Sequence, residues 1–510
     1  MTFFPRLIPP ELTFKEWSLA VLTVFILYHV SHTIHTIYLH PLSAFPGPIP
    51  WICTRIPYIT SLWRGHLAQD VYALHRKYGN VVRIAPDELS FATPDAWHHI
   101  YSNHGSTPAF PKSNLWHGVK AGRPMSVLNA LEPATHRRFR RAMERAFTER
   151  AVGSQEGIIG MYVDFLMTRL QDLAEENVDA AESVVVDIVR WYGFFTFDLI
   201  GDLGFGESFR CLESEQYHPW VAMIFNSLRA ATYRASLGYY PGVSWLLAYF
   251  VPVSVVRKQR EHWNLAVQKI NRRLEREISR PDIISLIKRD EDGKEGLTIQ
   301  ELQATASVII VAGSETTVSV LSGITNYLVN NPEKLTFLTS TIREKFEKEE
   351  EISIATLKET AYLNAVIQEG FRLCNPTPVG LPRVVPPGGG RVCGHDLPEN
   401  IFVNVHPLSI SFSAEYFHKP CEFHPERWLA ANDPSSPFYN DNRNAVQVFG
   451  VGPRSCIGRP LAMAELQLVL ARMVWRFDLE KVDSEAGNLK WEEQRVFTVV
   501  ERKPFEPMTE

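Results

Sequence analysis

Ten residues near the C-terminal end, Phe449-Gly450-Val451-Gly452-Pro453-Arg454-Ser455-Cys456-Ile457-Gly458, set one cysteine in a frame that could do chemistry. Glycines at 450, 452 and 458 let the backbone turn sharply and approach a neighbour closely. The apolar spacing from Arg459 through about Phe477 predicts a helix starting just after Cys456, whose N–H groups and dipole favour a thiolate. A thiolate is a soft, strongly donating ligand of the kind that haem iron takes. Arg454, two residues earlier, is suited to pair with a propionate of such a cofactor. The competing reading is an inert cysteine buried in a glycine-rich turn.

A second constellation lies in a long apolar run. Thr298-Ile299-Gln300-Glu301 reads as a capping box, and Asn330-Asn331-Pro332 stops the helix it opens. At 1.5 Å per residue that helix is about 50 Å long, enough to cross a domain. In its middle stands Ala312-Gly313-Ser314-Glu315-Thr316-Thr317. Small residues admit a flat cofactor, and a charged Glu315 within an apolar helix is costly unless it has a task. The alternative is a kink with Thr316 bonded back to a carbonyl.

Other motifs have positioning roles. In His136-Arg137-Arg138-Phe139-Arg140-Arg141-Ala142-Met143-Glu144-Arg145-Ala146-Phe147, the residues Phe139, Met143, Ala146 and Phe147 form a core stripe. Arg137, Arg141 and Arg145 recur on a basic face, whose bland reading is solvation, and His136 and Arg140 form a third pair. A helix predicted over Leu357 to Leu373 carries Glu369 and Arg372 one turn apart, and Arg427 follows in a turn at Phe423–Trp428. Val81–Ala85 and Glu88–Ala92, separated by Pro86-Asp87, read as a β-hairpin. The Gly/Pro/Asn-rich stretch 102–134 is long for a loop, which marks it as functional or mobile.

These motifs, in this order, resemble the cytochromes P450, and the resemblance runs from Pro41 to about Val500. It implies a mainly α fold with small β-sheets, as one large domain after an N-terminal membrane anchor. It implies haem b ligated by Cys456, with Phe449, Gly458 and Ala312 close to it and with His136, Arg140, Arg383 and Arg454 directed at the propionates. His136 stands where the family usually has Trp. The resemblance makes Glu315 and Thr316 the catalytic acid–alcohol pair, and Glu369, Arg372 and Arg427 a structural triad. The implied reaction is monooxygenation of a lipophilic small molecule with O2, using electrons from a separate NADPH-cytochrome P450 reductase. The hinge, the His136–Arg141 segment and Phe197–Gly206 are similar to fungal secondary-metabolite hydroxylases of the isotrichodermin C-15 hydroxylase type. Two other readings stay open: a haem-thiolate isomerase or dehydratase that needs no O2, and a non-catalytic haem-binding protein.

Composition agrees with this class. The chain has 510 residues, and its net charge of −5 gives no electrostatic case for nucleic acid. Six dispersed cysteines, with no C-x-x-C, argue against zinc or iron–sulfur sites and for a reduced, cytosol-facing domain. Residues 17–39 contain no Asp, Glu, Lys or Arg and are long enough to span a bilayer core. We expect a lumenal tail over 1–16, a transmembrane helix over 17–39, a Pro-rich hinge over 40–50 and the catalytic domain over 51–510. The expected location is the endoplasmic reticulum membrane, single-pass, with the domain in the cytosol. Met223, Phe225, Tyr239, Tyr240 and Trp245 are candidates for pocket or core, and the pocket is expected to be apolar.

Overall fold

The computed structural model describes residues 13–509, apart from 106, 120–121, 177–183, 243–252, 277–281, 288, 290–293 and 506. Trp245 lies outside the described residues, as do the side chains of Met223 and Phe225.

The fold is mainly helical with small sheets. The elements that position the site are the helices α1 (Phe14–Ile34), α2 (Pro133–Glu144), α3 (Ile188–Phe205), α4 (Pro219–Leu237), α5 (Val253–Glu275), α6 (Ile299–Val329), α7 (Ala361–Leu373) and α8 (Arg459–Arg476). With them come the strands β1 (Val81–Ala85), β2 (Glu88–Phe91), β3 (Arg383–Val384) and β4 (Phe402–Val405).

Helix α1 starts three residues earlier than the charge-free run, because Thr13 and Glu16 cap each other reciprocally. Its continuation His35–Leu39 winds as a π-helix. The expected hinge is docked rather than free. Arg83 on β1 donates to the carbonyl of Thr36 (2.9 Å) and its backbone N–H donates to Pro46 (2.8 Å). A Cβ at Gly47 would sit 2.2 Å from the Arg83 carbonyl oxygen, so only glycine permits this approach.

The predicted hairpin forms as β1 and β2, antiparallel, with Val82 opposite Ser90. Strand β2 runs parallel to β4 and β4 antiparallel to β3, giving the order β1-β2-β4-β3. Lys112 then bridges to Arg383 at the β3 edge, which brings the 102–134 stretch alongside the sheet.

Helix α6 has its capping box, with Glu301 N–H donating to Thr298 Oγ1 at 3.2 Å. It packs against α3, which is buried along nearly its whole length. A Cβ on Gly313 would meet Ile200 Cδ1 at 2.9 Å, so this glycine lets α3 and α6 close up. The helix predicted over 357–373 is instead broken at Glu359-Thr360, giving Ile354–Lys358 and then α7. At the break Asn364 Nδ2 donates to the carbonyls of Leu357, Lys358 and Thr360, tying the two helices together.

Candidate active site

The cysteine loop is closed by its own backbone. The N–H of Cys456 donates to the Phe449 carbonyl at 2.7 Å. Gly452 has φ +74° and a Cβ there would strike the Tyr101 carbonyl at 2.2 Å. Phe449 is wedged edge-on against Phe371 (5.1 Å between centroids) beneath the Arg459 guanidinium. At Gly458 a Cβ would stand 3.8 Å from Cys456 Sγ, so the glycine leaves the sulfur uncovered.

Sγ faces a cavity of 220 Å3. One wall is Ala312, Gly313, Thr316 and Thr317 of α6, and the other is Phe449, Cys456, Ile457 and Gly458. Burial pushes the Cys456 thiol up, against the N–H groups of Gly458 and Arg459 and the charge of Arg140, which pull it down. The expected thiolate-favouring donors are therefore present, but burial outweighs them. A coordinated metal ion is what deprotonates such a thiol.

Beside this cavity the chain gathers cations. Arg140 donates to the Ser455 carbonyl, one residue before the cysteine. Arg454 donates to the carbonyls of Ala130 (2.7 Å) and Leu131 (2.6 Å), and Arg383 to that of Phe110 (2.8 Å). His136 is buried and lowered to about 4, first by burial and then by the charges of Arg454, Lys112, Arg140 and Arg383. Lys112 is lowered to about 7 by burial and by Arg383 and Arg454, and His117 falls well below its ordinary value for the same kinds of reason.

Three buried polar atoms in this nest, Arg383 Nε, His117 Nε2 and Ser113 Oγ, have no hydrogen-bond partner among the described residues. Crowded positive groups with orphaned donors need an anion. The two propionates of haem b fit that need, and the small residues Ala312 and Gly458 leave room on either side of its ring. Sequence reasoning named His136, Arg140, Arg383 and Arg454 but missed Lys112, Ser113 and His117. Their only sequence signal was the unusual length of the 102–134 stretch.

Glu315 and Thr316, adjacent in sequence, look into different spaces. Thr316 lines the Cys456 cavity and donates its Oγ1 proton to the Ala312 carbonyl at 2.6 Å. Glu315 is fully buried, with its carboxylate on Arg502 at 2.8 Å. Arg502 also donates to the Glu315 carbonyl (3.0 Å) and Ser319 Oγ (2.9 Å). A cavity of 350 Å3, lined by charged residues such as Asp187 and Glu501 and by apolar ones such as Phe497 and Val500, lies behind this pair. Nothing in the C-terminal sequence signalled Arg502. Glu465 on α8 was missed as well. It lines the Cys456 cavity beside Thr317, and burial raises its carboxyl to about 8.

The Glu369 carboxylate meets both arginines. It takes Arg372 Nη2 at 2.7 Å, Arg427 Nε at 3.0 Å, the His424 N–H at 2.9 Å and Trp428 Nε1 at 2.9 Å. Asp441, unremarked in the sequence, binds the far side of Arg427.

A larger cavity of 1170 Å3 continues from Thr316 and Ala312. Trp116, Leu228, Val311 and Leu381 are among the residues that line it. Most of its lining is apolar, as expected, and Arg123, Arg234 and Arg260 are also part of it. Tyr239 is a core residue whose hydroxyl accepts from Trp116 Nε1 at 2.9 Å.

The family model for cytochrome P450 matches residues 44–506. A cytochrome P450 monooxygenase of Hormonema carpetanum, efuB, is 36% identical over 97% of this chain and 96% of its own length. The averantin hydroxylase of Dothistroma septosporum is 36% identical over 94% of this chain and 89% of its own. The monooxygenase stcF of Emericella nidulans is 36% identical over 94% and 97%.

Proposed function

This chain belongs to the cytochrome P450 family, and from that premise we propose that Cys456 is the haem ligand of a membrane-anchored hydroxylase or epoxidase acting on a secondary-metabolite intermediate. Its class is a haem-thiolate monooxygenase, an oxidoreductase that uses O2. The observation that carries the residue assignment is that Cys456 and Thr316 line one cavity from opposite walls.

Haem b, when bound, supplies the iron that activates O2 for insertion of one oxygen atom into a C–H bond or a double bond. The protein does the rest. Arg140, Arg383, Arg454, His136 and Lys112 would hold the propionates. Gly458 keeps the sulfur uncovered, and Ala312 keeps the opposite wall low. Thr316 has given its own proton to a carbonyl, so toward the cavity its oxygen accepts a hydrogen bond and can hold a water there. Glu315 draws protons from the cavity behind it and passes them toward that water when its carboxylate leaves Arg502. Glu369, Arg372 and Arg427 brace the cysteine side.

Helix α1 and its π-helical end, Phe14–Leu39, are long and apolar enough to cross a bilayer. We place it in the endoplasmic reticulum membrane, with 1–16 as the lumenal tail and the domain after the hinge in the cytosol. Electrons come from an NADPH-dependent reductase, for which exposed Arg137, Arg141 and Arg145 form a docking stripe. The test is turnover of lipophilic pathway intermediates with reductase, NADPH and heavy-isotope O2. One heavy oxygen in the product supports the reading; product formed anaerobically without NADPH would establish an isomerase or dehydratase instead.

A further inference from the structure

The cavity behind Glu315 and the larger cavity that continues from Thr316 share a wall, since Leu228 of α4 and Val499 line both. Val499 belongs to a hairpin of β5 (Arg495–Phe497) and β6 (Val499–Glu501), paired antiparallel, with Thr498 at its tip. Thr498 lines the larger cavity and has φ +68°. That conformation is rare for a β-branched residue and marks a strained tip.

Two ties bind this hairpin to α4. The hydroxyls of Thr498 and Thr232 are hydrogen-bonded at 3.0 Å. Glu501 pairs with Arg229 at 3.0 Å, and the Arg229 guanidinium lies over Phe497, 4.4 Å from the ring centroid. Immediately after β6 the chain places Arg502 on the Glu315 carboxylate. The other carboxylate oxygen, Glu315 Oε1, is buried and has no hydrogen-bond partner among the described residues. The wall that a guest touches and the cation that holds the acid therefore lie on one short stretch of chain.

Close-packed interiors transmit displacement rather than absorb it. A guest pressing on Leu228, Thr498 and Val499 moves the hairpin together with α4, and Arg502 with it. Building on the reading of the larger cavity as the substrate chamber and of Glu315 as the proton-carrying acid, we propose that Thr498 is a positioning residue that couples the two: an occupied chamber displaces the hairpin tip and loosens Arg502 from Glu315. With the chamber empty, the acid stays clamped. With it filled, the acid is free to move protons. A buried carboxylate that loses its cation turns neutral by taking up a proton, which makes the release observable.

The test uses the full-length, haem-loaded protein in phosphatidylcholine nanodiscs, read by infrared difference spectroscopy. Clotrimazole joins an imidazole, which ligates haem iron, to a bulky apolar body that must occupy the chamber; plain imidazole ligates without filling it. Each is added until the cofactor's Soret shift is complete. Clotrimazole is expected to produce the carbonyl band of a protonated, buried carboxyl that imidazole does not produce, and Glu315→Gln should abolish it. Thr498→Gly, which relieves the tip and removes the tie, should lose the band, as should Thr232→Val, which removes the tie's other hydroxyl. Thr498→Ser should keep it. Clotrimazole ligation without the band, an equal band with imidazole, or a band that survives both Thr498→Gly and Thr232→Val would overturn the coupling and leave the chamber reading intact. If imidazole ligates and clotrimazole does not, the chamber reading itself falls, and the proposal with it. A band that behaves as expected, beside an unchanged peroxide yield in Glu315→Gln, would uphold the coupling and remove the proton role of the acid.

Discussion

Arg502 and Glu315 form an ion pair of 2.8 Å with side chains only 4% and 1% accessible, on the face of α6 turned away from the Cys456 cavity. Breaking a buried pair from one side strands a charge, which costs about 3–5 kcal/mol. Arg502→Gln should therefore lower unfolding stability by about that amount. Glu315→Gln placed in the same chain should restore most of it, and chemical denaturation of the two single variants and the double variant measures the coupling. If Glu315 also moves protons, Glu315→Gln should raise the share of NADPH electrons that ends as peroxide.

Glu369 is a heavier commitment, since two guanidinium groups, an indole and a backbone N–H all converge on it. Glu369→Gln removes the charge but keeps the shape, leaving Arg372 and Arg427 short of a counter-charge. The expected result is little soluble protein and no haem incorporation, read by absorbance after expression. Asp441→Asn, which touches only Arg427, should be milder.

The cation nest predicts how the cofactor is retained. Lys112→Met and Arg383→Met should each speed haem transfer to apomyoglobin by about tenfold, the scale of one lost charge-assisted bond. Lys112 is held down to about 7 by burial and by the charges of Arg383 and Arg454. An arriving propionate returns it toward its ordinary value and so takes up protons near pH 8, while ligation releases the Cys456 proton; Lys112→Met should therefore shift the net balance toward release, measurable as a difference in the buffer-dependent calorimetric enthalpy.

Two buried histidines fix an acid limit. His75 Nε2 and His406 Nδ1 share the Ser90 hydroxyl at 2.7 and 2.8 Å, and burial lowers them to about 4 and about 3 from an ordinary 6.5. The unfolded chain therefore binds protons that the folded chain refuses. Their contribution is complete above pH 6.5 and is lost as pH falls toward 4 and then 3, at up to about 1.4 kcal/mol per pH unit for each. Thermal unfolding of His406→Asn should show a shallower acid slope than the parent.

Much of this was legible in the sequence because the relevant signals are local. The cysteine loop, the Thr298–Glu301 capping box and the 81–91 hairpin depend on spacing over a few residues, and each forms where expected. The misses are contacts between distant segments. Arg502 reaches Glu315 across 187 residues, and Asp441 reaches Arg427 only through a folded turn. Lys112 and His117 sit in a stretch with no periodicity, so only the Arg383 bridge reveals what they face. The break at Glu359-Thr360 was hidden because it falls within an unbroken apolar pattern, and Asn364 ties its two sides together. The arginines that line the large cavity, Arg123, Arg234 and Arg260, come from three separate segments of the chain.

The central claim is that Cys456 ligates the iron. The most direct measurement is the absorbance spectrum of the reduced, carbon monoxide-bound protein, recorded for the parent and for Cys456→His. A strongly red-shifted Soret band in the parent, absent in a variant that still binds haem, is the predicted result. A red-shifted band that survives Cys456→His, or a parent that binds haem without it, would contradict the account.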